Sequence, residues 1–589
     1  MARTAVRTAT ELMPTPTDDD LARRLGDFDT LVEALEYAAR GRKGLNFYSP
    51  RGELESAYGY ETLRNDALAI GQQLSGLGYE AGARMALIAE TSADFVSFFL
   101  GGSYARVLPV PLPLPTTFGG REVYVEQLRT QLQSCRPAAL VGPEGMVDLL
   151  EEAADGLGLR FVGSFQAFRA QEYKPGPVRL PQADDVAYLQ YSSGSTRFPH
   201  GVIVTHRALL ANCRAQGRDG VKLRAGDRCV TWLPFYHDMG LVGTLLTPIV
   251  NQVSVDYLAT EDFARRPLTW LRLISRNRGT ISYSPTFGYE VVARRAKADD
   301  VAALDLSCWR VAGIGGDMIR PEVMRLFAET FASAGFDPKA FVPSYGLAEA
   351  TLAVSFMPLG RGIEVDVVDE RVLSGERAME DDTPDEPGTV LATREVVNCG
   401  RVLPEHEVEI RDEHGRVLGE RAVGRIYVRG PSIMAGYFND PEATRGVLKD
   451  GWLDTGDMGY FRDGHLYVVG RAKDMIIVRG RNYWPQDLEW AAETTEGLRS
   501  GDTAAVSLPG PDGEELPAVL VQCRVRDEEA RRALAEAAKR AVQQGVGITC
   551  SVLLVPPRSL PRTSSGKLSR SKARRQVLSG ALPVLMRID

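Results

Sequence analysis

Hydrophobic positions in the first part of the chain follow two alternating patterns, and each predicts a different kind of element. Between residues 60 and 77, apolar side chains return every three or four positions, which is typical of an amphipathic helix. Residues 85–89, 138–141 and 186–190 are short apolar runs, which are typical of buried strands. Helices and strands alternate at spacings that fit βαβ units, so the pattern predicts an α/β fold with a largely parallel sheet.

The pattern changes towards the end of the chain. Short strand-like segments and a hairpin signal at Asp463 and Gly464 predict a β-rich subdomain before residue 470. The following residues mix short apolar runs with two helical stretches, which predicts a separate α+β unit. We therefore expect a large N-terminal domain over residues 1–470, a hinge at 471–474 and a small C-terminal domain over 475–589. The large domain would combine parallel-sheet βαβ subdomains with the β-rich subdomain.

One segment of the large domain follows neither pattern. Residues 358–394 are polar and contain an acidic, proline-rich run, and their helix and strand signals are weak. A long segment without clear elements inside a compact domain is typical of an insertion or a flexible excursion. We expect an insertion there.

Composition argues against several classes of protein. The chain has 589 residues and a net charge of -8, and an acidic balance argues against a nucleic-acid partner. Its seven dispersed cysteines predict reduced thiols and no zinc site. No apolar signal segment opens the chain, and no apolar run reaches the ~20 residues of a membrane span. We therefore expect a cytoplasmic protein.

Candidate chemistry begins in the loop after the apolar run 186–190. The loop consists of small residues followed by one arginine: Ser192, Ser193, Gly194, Ser195, Thr196 and Arg197. Such a loop lets backbone N–H groups and one permanent positive charge approach the phosphates of a nucleotide. A hydrophilic surface loop has the same composition, so both interpretations stay open for this stretch alone. The Gly-Lys-Ser/Thr ending of a P-loop is missing, so a P-loop NTPase is not expected.

Two strand ends with glycines could receive a nucleotide base. Residues 309–317 predict a short strand that ends in Gly315 and Gly316, before Asp317. Residues 341–352 predict a strand, a turn at Tyr345 and a helix start that carries Glu349. The aromatic ring could stack on a base that lies flat against the glycines, and the carboxylate could bind Mg²⁺. For each stretch alone, a plain βα turn or a solvated helix glutamate is the better interpretation.

Three further residues are candidates for chemistry. His237 stands with Asp238 in the otherwise apolar stretch 230–246, where a core histidine is the simpler interpretation. The turn-forming residues around His237 favour a side chain that faces a cavity. Asp457 falls in the sequence GWLDTGDMG, which predicts a tight turn. Lys567 follows small residues in a basic tail, and composition alone favours a mobile terminus there.

Taken together, six ordered stretches resemble the signature motifs of the adenylate-forming superfamily, which comprises acyl-CoA synthetases, luciferases and the adenylation domains of peptide synthetases. They read YSSGSTRFPHGV, LPFYHDMGL, GGD, SYGLAEATL, LDTGDMGYFRDGHLYVVGRAKD and LPRTSSGKLSR. The tracts GSTR, YHDMGL and GRNYWPQDLE are most similar to the fatty acyl-AMP ligases. That group carries an insertion between the equivalents of Glu349 and Gly400, which are 51 positions apart here. The resemblance implies that the insertion restrains the small domain and disfavours the CoA-reactive pose.

The resemblance implies that ATP and Mg²⁺ bind, and that a carboxylate attacks the α-phosphate of ATP while pyrophosphate leaves. The residues expected around the nucleotide are Ser192, Ser193, Gly194, Ser195, Thr196 and Arg197 at the phosphates, Gly315, Gly316, Asp317, Ser344, Tyr345 and Gly346 at the adenine, and Asp457 and Arg471 at the ribose. Thr196 and Glu349 would hold the metal. His237 would line the junction with the acyl pocket, and Lys567 would reach the carboxylate and the α-phosphate. The superfamily loop has lysine where this chain has His200, which leaves Arg197 as the permanent cation of the loop.

The second half-reaction implied by the resemblance transfers the acyl group to the phosphopantetheine thiol of an acyl carrier protein. A mobile small domain would turn about Lys473 between the two steps. Two alternatives stay open: an acyl-CoA ligase, and a family member that binds nucleotide without adenylating. The apolar residues within 232–246 and 282–289 favour a hydrophobic acid. The chain length of the acid, the identity of the carrier and the oligomeric state stay open.

Overall fold

The fold was analysed in a computed structural model, which describes residues 13–115, 120–191, 200–373, 393–478, 481–510, 515–563 and 567–589. The α-helices of these residues are α1 (Leu31–Ala38), α2 (Tyr60–Gly76), α3 (Ala93–Ala105), α4 (Gly120–Cys135), α5 (Val147–Ala154), α6 (Phe165–Arg169), α7 (His206–Ala215), α8 (Thr247–Val250), α9 (Thr260–Arg265), α10 (Leu268–Asn277), α11 (Thr286–Arg295), α12 (Ala298–Ala302), α13 (Pro321–Phe331), α14 (Glu370–Leu373), α15 (Pro441–Val447), α16 (Pro485–Glu493), α17 (Glu528–Val546) and α18 (Arg570–Leu578).

The strands of the same residues are β1 (Gly44–Tyr48), β2 (Leu54–Gly59), β3 (Arg84–Ile88), β4 (Leu108–Leu112), β5 (Ala139–Gly142), β6 (Phe161–Ser164), β7 (Val186–Tyr191), β8 (Gly201–Thr205), β9 (Arg228–Thr231), β10 (Ser254–Leu258), β11 (Ile281–Ser284), β12 (Val311–Ile314), β13 (Phe341–Gly346), β14 (Ala353–Phe356), β15 (Val365–Asp369), β16 (Thr393–Val397), β17 (Arg401–Val402), β18 (Glu407–Arg411), β19 (Gly424–Arg429), β20 (Gly436–Tyr437), β21 (Leu448–Lys449), β22 (Trp452–Arg462), β23 (His465–Arg471), β24 (Ile476–Val478), β25 (Arg481–Tyr483), β26 (Thr503–Pro509), β27 (Glu515–Gln522), β28 (Ser551–Val555) and β29 (Met586–Ile588).

Two largely parallel sheets form the centre of the molecule and confirm the predicted α/β class. The larger has nine strands in the order β17-β14-β13-β12-β11-β9-β10-β1-β2, and its pairs from β1 to β13 through β10, β9, β11 and β12 are parallel. The second is the parallel sheet β4-β3-β5-β6. Helix α2 packs the predicted apolar stripe inward, and Ser92 caps α3 by accepting a hydrogen bond from the Phe95 backbone N–H.

One strand differs from the parallel arrangement that the sequence predicted. Strand β7 runs towards the candidate phosphate loop, but it pairs antiparallel with β8 in a three-stranded sheet of order β20-β8-β7. Only residues 192–200 separate β7 from β8, and a parallel partner would need a longer crossover connection. The candidate phosphate loop therefore connects two antiparallel strands.

The predicted β-rich region forms a five-stranded sheet from β18, β19, β21, β22 and β23. Asp463 and Gly464 have φ angles of 53° and 70° and close the predicted hairpin between β22 and β23. The prediction of a tight turn at Asp457 was wrong, because Asp457 lies inside strand β22. Gly456, with a φ of 73°, supplies the turn-like conformation within the strand.

The ends of the predicted insertion are ordered. Strands β15 and β16 pair antiparallel from Val365↔Val397 to Asp369↔Thr393, and α14 follows β15. The weak sequence signals missed this hairpin, because its strands gain their stability from packing on other parts of the chain. Val368, Val372 and Val396 share a buried cluster with Tyr467 of β23 and Trp484.

The last part of the chain builds its own sheet and core. Strands β26-β27-β28-β29 form a four-stranded sheet, which α16, α17 and α18 contact. Two buried apolar clusters consist only of residues after 475. The sequence predicted β26 to β28 and the helices α16 and α17, but it missed α18 and β29. The domain limits at 470 and 475 stay predictions.

Candidate active site

A cavity of about 2420 Å³ opens where the strand ends of the nine-stranded sheet face the β-rich sheet and the last part of the chain. It gathers most of the residues that the sequence selected. The described members of that set that line it are His237, Gly315, Gly316, Asp317, Ser344, Tyr345, Gly346, Glu349, Asp457, Arg471, Lys473 and Lys567. The cavity is thus the candidate active site, although the role of each residue stays a prediction.

Asp457 is held by two neighbours at one wall of the cavity. Tyr345 Oη donates a hydrogen bond to Asp457 Oδ2 at 2.8 Å, and Arg471 Nε lies 3.4 Å from Asp457 Oδ1. Asp457 and Arg471 are direct partners across the β22–β23 hairpin, which fixes their pairing. Burial raises the pKa of the Asp457 carboxyl, and the positive charge of Arg471 opposes that rise. A carboxylate in this position can accept hydrogen bonds from a diol.

Glycines keep the neighbouring wall flat. Gly316 has a φ of 79°, and a Cβ there would lie 3.1 Å from Met239 Sδ. A Cβ on Gly346 would overlap the Leu352 carbonyl oxygen at 1.8 Å, so this turn after β13 requires glycine. Asp317 lies at the cavity edge, near enough to Arg562 and Arg570 of the last part of the chain for their charges to interact. Gly315 and Gly316 both line the cavity.

His237 and Asp238 form a polar pair at the start of a π-helical segment, Met239–Leu246. His237 Nδ1 lies 2.7 Å from Asp238 Oδ1, and both side chains are largely buried. Burial alone would raise the pKa of Asp238, but the charges of His237 and Lys567 outweigh burial and hold the pKa below its ordinary value. His237 therefore faces the cavity, as the turn-forming sequence predicted, and does not serve as an isolated core residue.

Tyr437, His200 and Asp440 form a series of contacts that ends at Glu349. Tyr437 Oη donates to Glu349 Oε1 at 3.0 Å, and burial raises the pKa of the Glu349 carboxyl. The ring of His200 lies 4.8 Å from the ring of Tyr437, and His200 Nδ1 lies 3.2 Å from Asp440 Oδ2. The expected helix at Glu349 is only a single 3₁₀ turn, Ala348–Ala350, because the chain must return at once to pair β14 with β13.

Lys567 comes from the last part of the chain and still lies in the cavity. Its charge acts on Asp238 and on Asp457, two carboxylates of the large sheet region and the β-rich sheet. The loop that carries it is closed by an isolated bridge between Arg562 and Leu568. Lys567 is half-buried, so the interpretation as a fully mobile basic tail does not hold for this residue.

The candidate phosphate loop falls on residues 192–199, which lie outside the described residues. The roles expected of Ser192, Ser193, Gly194, Ser195, Thr196 and Arg197 therefore stay predictions. Strand β7 ends and strand β8 begins beside the cavity, since Tyr191 and His200 both line it.

The sequence missed two residues of this site. Asp238 and Tyr437 each contact a predicted site residue, His237 and Glu349 respectively. Asp238 was visible as the second polar residue of an apolar stretch, which is a signal that could have been used. No local signal marks Tyr437, because its contact with Glu349 joins a strand and a 3₁₀ turn that are far apart in the chain.

The cavity continues along one face of the nine-stranded sheet. Cys229 and Ile281 are cross-strand partners on β9 and β11, and Tyr283 projects to the same side. The opposite wall is formed by two π-helical segments, Gln216–Gly220 and Met239–Leu246. Most of the lining there is apolar, which agrees with the expectation of a pocket for a hydrophobic group.

The described part of the chain contains neither a candidate group of metal ligands nor a candidate membrane-spanning helix. Its His, Cys, Asp and Glu side chains form no group of three that could hold a metal ion. None of its helices combines the length and the apolar character that crossing a bilayer requires.

Comparison with known proteins identifies the class of enzyme and then the family. The fold is that of the adenylate-forming enzymes: a structure from a study of fatty acyl-adenylate ligases from E. coli and L. pneumophila matches with a TM-score of 0.90 and 47% identity, over 95% of this chain and 100% of the solved one. Residues 39–438 match the family model of the AMP-binding enzymes. The chain belongs to the AMP-binding enzyme family.

Two relatives differ in the acceptor that their descriptions name. A Caulobacter vibrioides protein, provisionally described as an acyl-CoA synthetase, is 48% identical over 572 residues, which are 97% of this chain and 99% of the relative. JamA of Moorena producens, a medium-chain fatty acid–acyl-carrier-protein ligase, is 32% identical over 580 residues, covering 94% of this chain and 96% of the relative.

Proposed function

We propose that this protein is a fatty acyl-AMP ligase, which activates a hydrophobic carboxylic acid with ATP and transfers the acyl group to the phosphopantetheine thiol of an acyl carrier protein. One observation supports the proposal most strongly: Lys567 lies in the same cavity as Asp457 and the His237–Asp238 pair. A positive charge from the last part of the chain thus acts both on Asp457, the proposed ribose-binding carboxylate, and on Asp238, beside the proposed passage to the acyl pocket.

In the first step, a carboxylate oxygen of the acid attacks the α-phosphorus of ATP, and the bond from that phosphorus to the bridging oxygen breaks. Pyrophosphate leaves and acyl-AMP remains. The two reactants are anions, so Lys567 offsets their repulsion and stabilises the charge on the α-phosphate. Asp457 accepts the ribose hydroxyls, and Tyr345 covers the adenine from the side opposite Gly315 and Gly316. His237 lines the passage to the acyl pocket.

Mg²⁺ fits this site as a partner of the phosphates. Because the described residues offer no cage of three ligands, the protein would contribute few oxygens, which suits a cation that keeps substrate phosphates and water as ligands. Glu349 is the described carboxylate assigned to this role, and Thr196 of the phosphate loop is the second candidate. The ion would neutralise phosphate charge.

In the second step, the thiol sulfur attacks the acyl carbonyl carbon, the bond to the AMP oxygen breaks, and the thiol proton leaves with solvent or AMP. Two features support a carrier protein over CoA. The ordered insertion hairpin packs on Trp484, whose Nε1 donates to the Leu373 carbonyl oxygen at 3.1 Å. Arg394 of β16 forms a buried ion pair with Asp487 of α16 at 3.3 Å. These contacts restrain the last part of the chain in its present pose.

Product analysis by mass spectrometry tests the proposal. The enzyme is given ATP, Mg²⁺ and a panel of fatty acids, alone, with CoA, and with a holo carrier protein. We expect acyl-AMP to accumulate, to persist with CoA and to yield acylated carrier protein. Efficient formation of acyl-CoA would instead assign the function described for the Caulobacter relative. Absence of adenylate with every acid would favour a nucleotide-binding protein that does not adenylate.

A further inference from the structure

Gln216 is a polar side chain in the largely apolar part of the cavity along the nine-stranded sheet. Gln216 begins the π-helical segment Gln216–Gly220 and is 5% exposed. It lines the cavity opposite Gly243, where an added Cβ would lie 3.9 Å from Gln216 Oε1. π-helical turns often occur at functional sites. The amide therefore faces the space that the proposed function assigns to the acyl chain.

A chain of hydrogen bonds fixes which end of the Gln216 amide faces that space. The Ala353 backbone N–H donates to Asn212 Oδ1 at 3.1 Å, and Asn212 Nδ2 donates to the carbonyl oxygens of Ala353 and Ala350 at 2.9 and 3.3 Å. Asn212 must therefore present its oxygen to Gln216. The side-chain amino group of Gln216 donates a hydrogen bond to Asn212 Oδ1 at 2.7 Å. The carbonyl oxygen is left pointing away from this network.

Gln216 Oε1 accepts no hydrogen bond from any residue that the structure describes, and it is not enclosed by protein. The neighbouring threonine hydroxyls, in contrast, have hydrogen-bond partners. Thr247 Oγ1 donates to Cys213 Sγ at 3.3 Å, and Thr244 Oγ1 donates to the Gly240 carbonyl oxygen at 2.9 Å. The Tyr283 hydroxyl also lacks a partner among the described residues, but its oxygen atom is buried, although the Tyr283 side chain lines the cavity.

A plain alkyl chain in this pocket would remove water from Gln216 Oε1 without replacing the hydrogen bond. An unpaired buried acceptor is costly, whereas a correctly placed donor restores the bond. Sites built to bind a substrate hydroxyl therefore reject the analogue that lacks it. From this geometry we propose that Gln216 selects a fatty acid with a hydroxyl group on its chain. The inference rests on the proposed function, because it assumes that the pocket receives the acyl chain of an adenylated acid.

The test compares pairs of acids of equal length, one saturated and one hydroxylated, with the hydroxyl moved outward from C3 one carbon at a time. ATP–pyrophosphate exchange gives kcat/KM for each acid. For the wild type, we expect one hydroxyl position to be preferred over the saturated acid by about tenfold. In Gln216→Met, which keeps the side-chain length but removes the carbonyl, we expect that ratio to fall to about one, with a gain for the saturated acid.

Thr247→Val provides a matched control, because it removes a hydroxyl from the same pocket that already has a partner. We expect Thr247→Val to keep the wild-type preference. The inference fails if the wild type prefers no hydroxyl position, or if the preference persists in Gln216→Met. Exchange without a hydroxyl preference would remove this inference alone. Absence of exchange with every acid of both series would remove the proposed function as well.

Discussion

Lys567 is a charged side chain that the last part of the chain contributes to the cavity. It belongs to the last part of the chain, yet its charge acts on Asp238 and Asp457 across the cavity. Its position agrees with a role at the α-phosphate, where two anions must meet. A lysine with this role is needed for adenylation and is dispensable once acyl-AMP has formed.

Lys567→Ala tests that role. We expect the rate of acyl-AMP formation to fall by about 10²-fold or more, because one charge-stabilising group is lost. Transfer from chemically supplied acyl-AMP to carrier protein should change by less than about threefold, since no charged nucleophile meets a phosphate in that step. Lys539→Ala is the matched control, because Lys539 binds the Asp589 carbonyl oxygen away from the cavity. Equal loss of both steps in Lys567→Ala would contradict the assignment.

His206 at the start of α7 accepts a hydrogen bond from the start of α1, and its protonation makes the free energy of unfolding depend on pH. The Leu31 backbone N–H, which opens α1, donates to His206 Nδ1 at 3.2 Å, and His206 is 1% exposed. Protonation would remove this acceptor, and burial lowers the pKa of His206 to about 4. The neutral ring therefore stabilises the fold fully above the unfolded-state pKa of about 6.5, and this contribution is lost as the pH falls towards 4.

His206→Asn tests this link, because the amide oxygen can replace the ring nitrogen as acceptor without titrating. Below pH 6.5, the wild type should lose about 1.4 kcal/mol of stability per pH unit through this residue. We expect chemical denaturation to show a smaller fall from pH 7 to pH 5 in the variant, by about 2 kcal/mol. An unchanged pH dependence would assign the acid sensitivity to other groups.

At the scale of elements, the β15–β16 hairpin connects the β-rich sheet to α16. Its side chains share a cluster with Tyr467 and Trp484, and Arg394 is buried against Asp487 with 4% and 9% of the side chains exposed. Removing one partner of a buried ion pair leaves an uncompensated charge, which is costly. The pair therefore favours the pose in which α16 remains docked on the hairpin.

Arg394→Met is expected to loosen that pose. Acyl-AMP formation should stay within about threefold of the wild type, while thioester formation with CoA should rise by about tenfold or more, because a buried pair is worth several kcal/mol when broken. Arg325→Met is the matched control. Arg325 forms an ion pair at 2.6 Å with Glu395, the neighbour of Arg394 on β16, but both of these side chains are exposed. If CoA activity stays absent in a folded Arg394→Met protein, the hairpin does not set acceptor choice.

At the scale of the whole molecule, contacts between distant parts of the chain hold Lys567 in the cavity. Arg320 Nη1 donates to Glu493 Oε2 at 2.9 Å and to Ser500 Oγ at 2.8 Å. The Trp490 ring has Arg320 and Arg394 near its faces, with centroid distances of 5.5 and 5.3 Å. The pose is thus compatible with the first half-reaction, and the proposed rotation about Lys473 would break these contacts before the second.

Lys473→Pro tests whether the chain turns at this position. Lys473 lies in the 3₁₀ turn Ala472–Asp474, and 3₁₀ turns have φ angles near the fixed φ of proline. We expect acyl-AMP formation to change by less than about threefold and transfer to carrier protein to fall by about tenfold or more, because proline limits rotation. Lys473→Ala separates loss of the side chain from loss of rotation. Equal transfer rates in both variants would place the hinge elsewhere.

The sequence by itself determined the parallel-sheet class, most of the elements and the family. These features depend on local signals: apolar periodicity gave α2, the Asp463–Gly464 turn gave the β22–β23 hairpin, and ordered motifs gave the candidate site. Local signals failed at Asp457 and at the β15–β16 hairpin. Their conformations depend on partner strands elsewhere in the chain, and no short-range pattern encodes such partners.

Only the tertiary structure decided which side chains meet. The contacts of Glu349 with Tyr437 and of Arg394 with Asp487, and the effect of the Lys567 charge on Asp238, join residues from separate elements, and packing of whole layers sets their positions. The orientation of the Gln216 amide depends likewise on a network that includes the backbone of β14. A linear sequence specifies residue types along one dimension, whereas hydrogen-bond partners and burial arise only when the chain is folded in three.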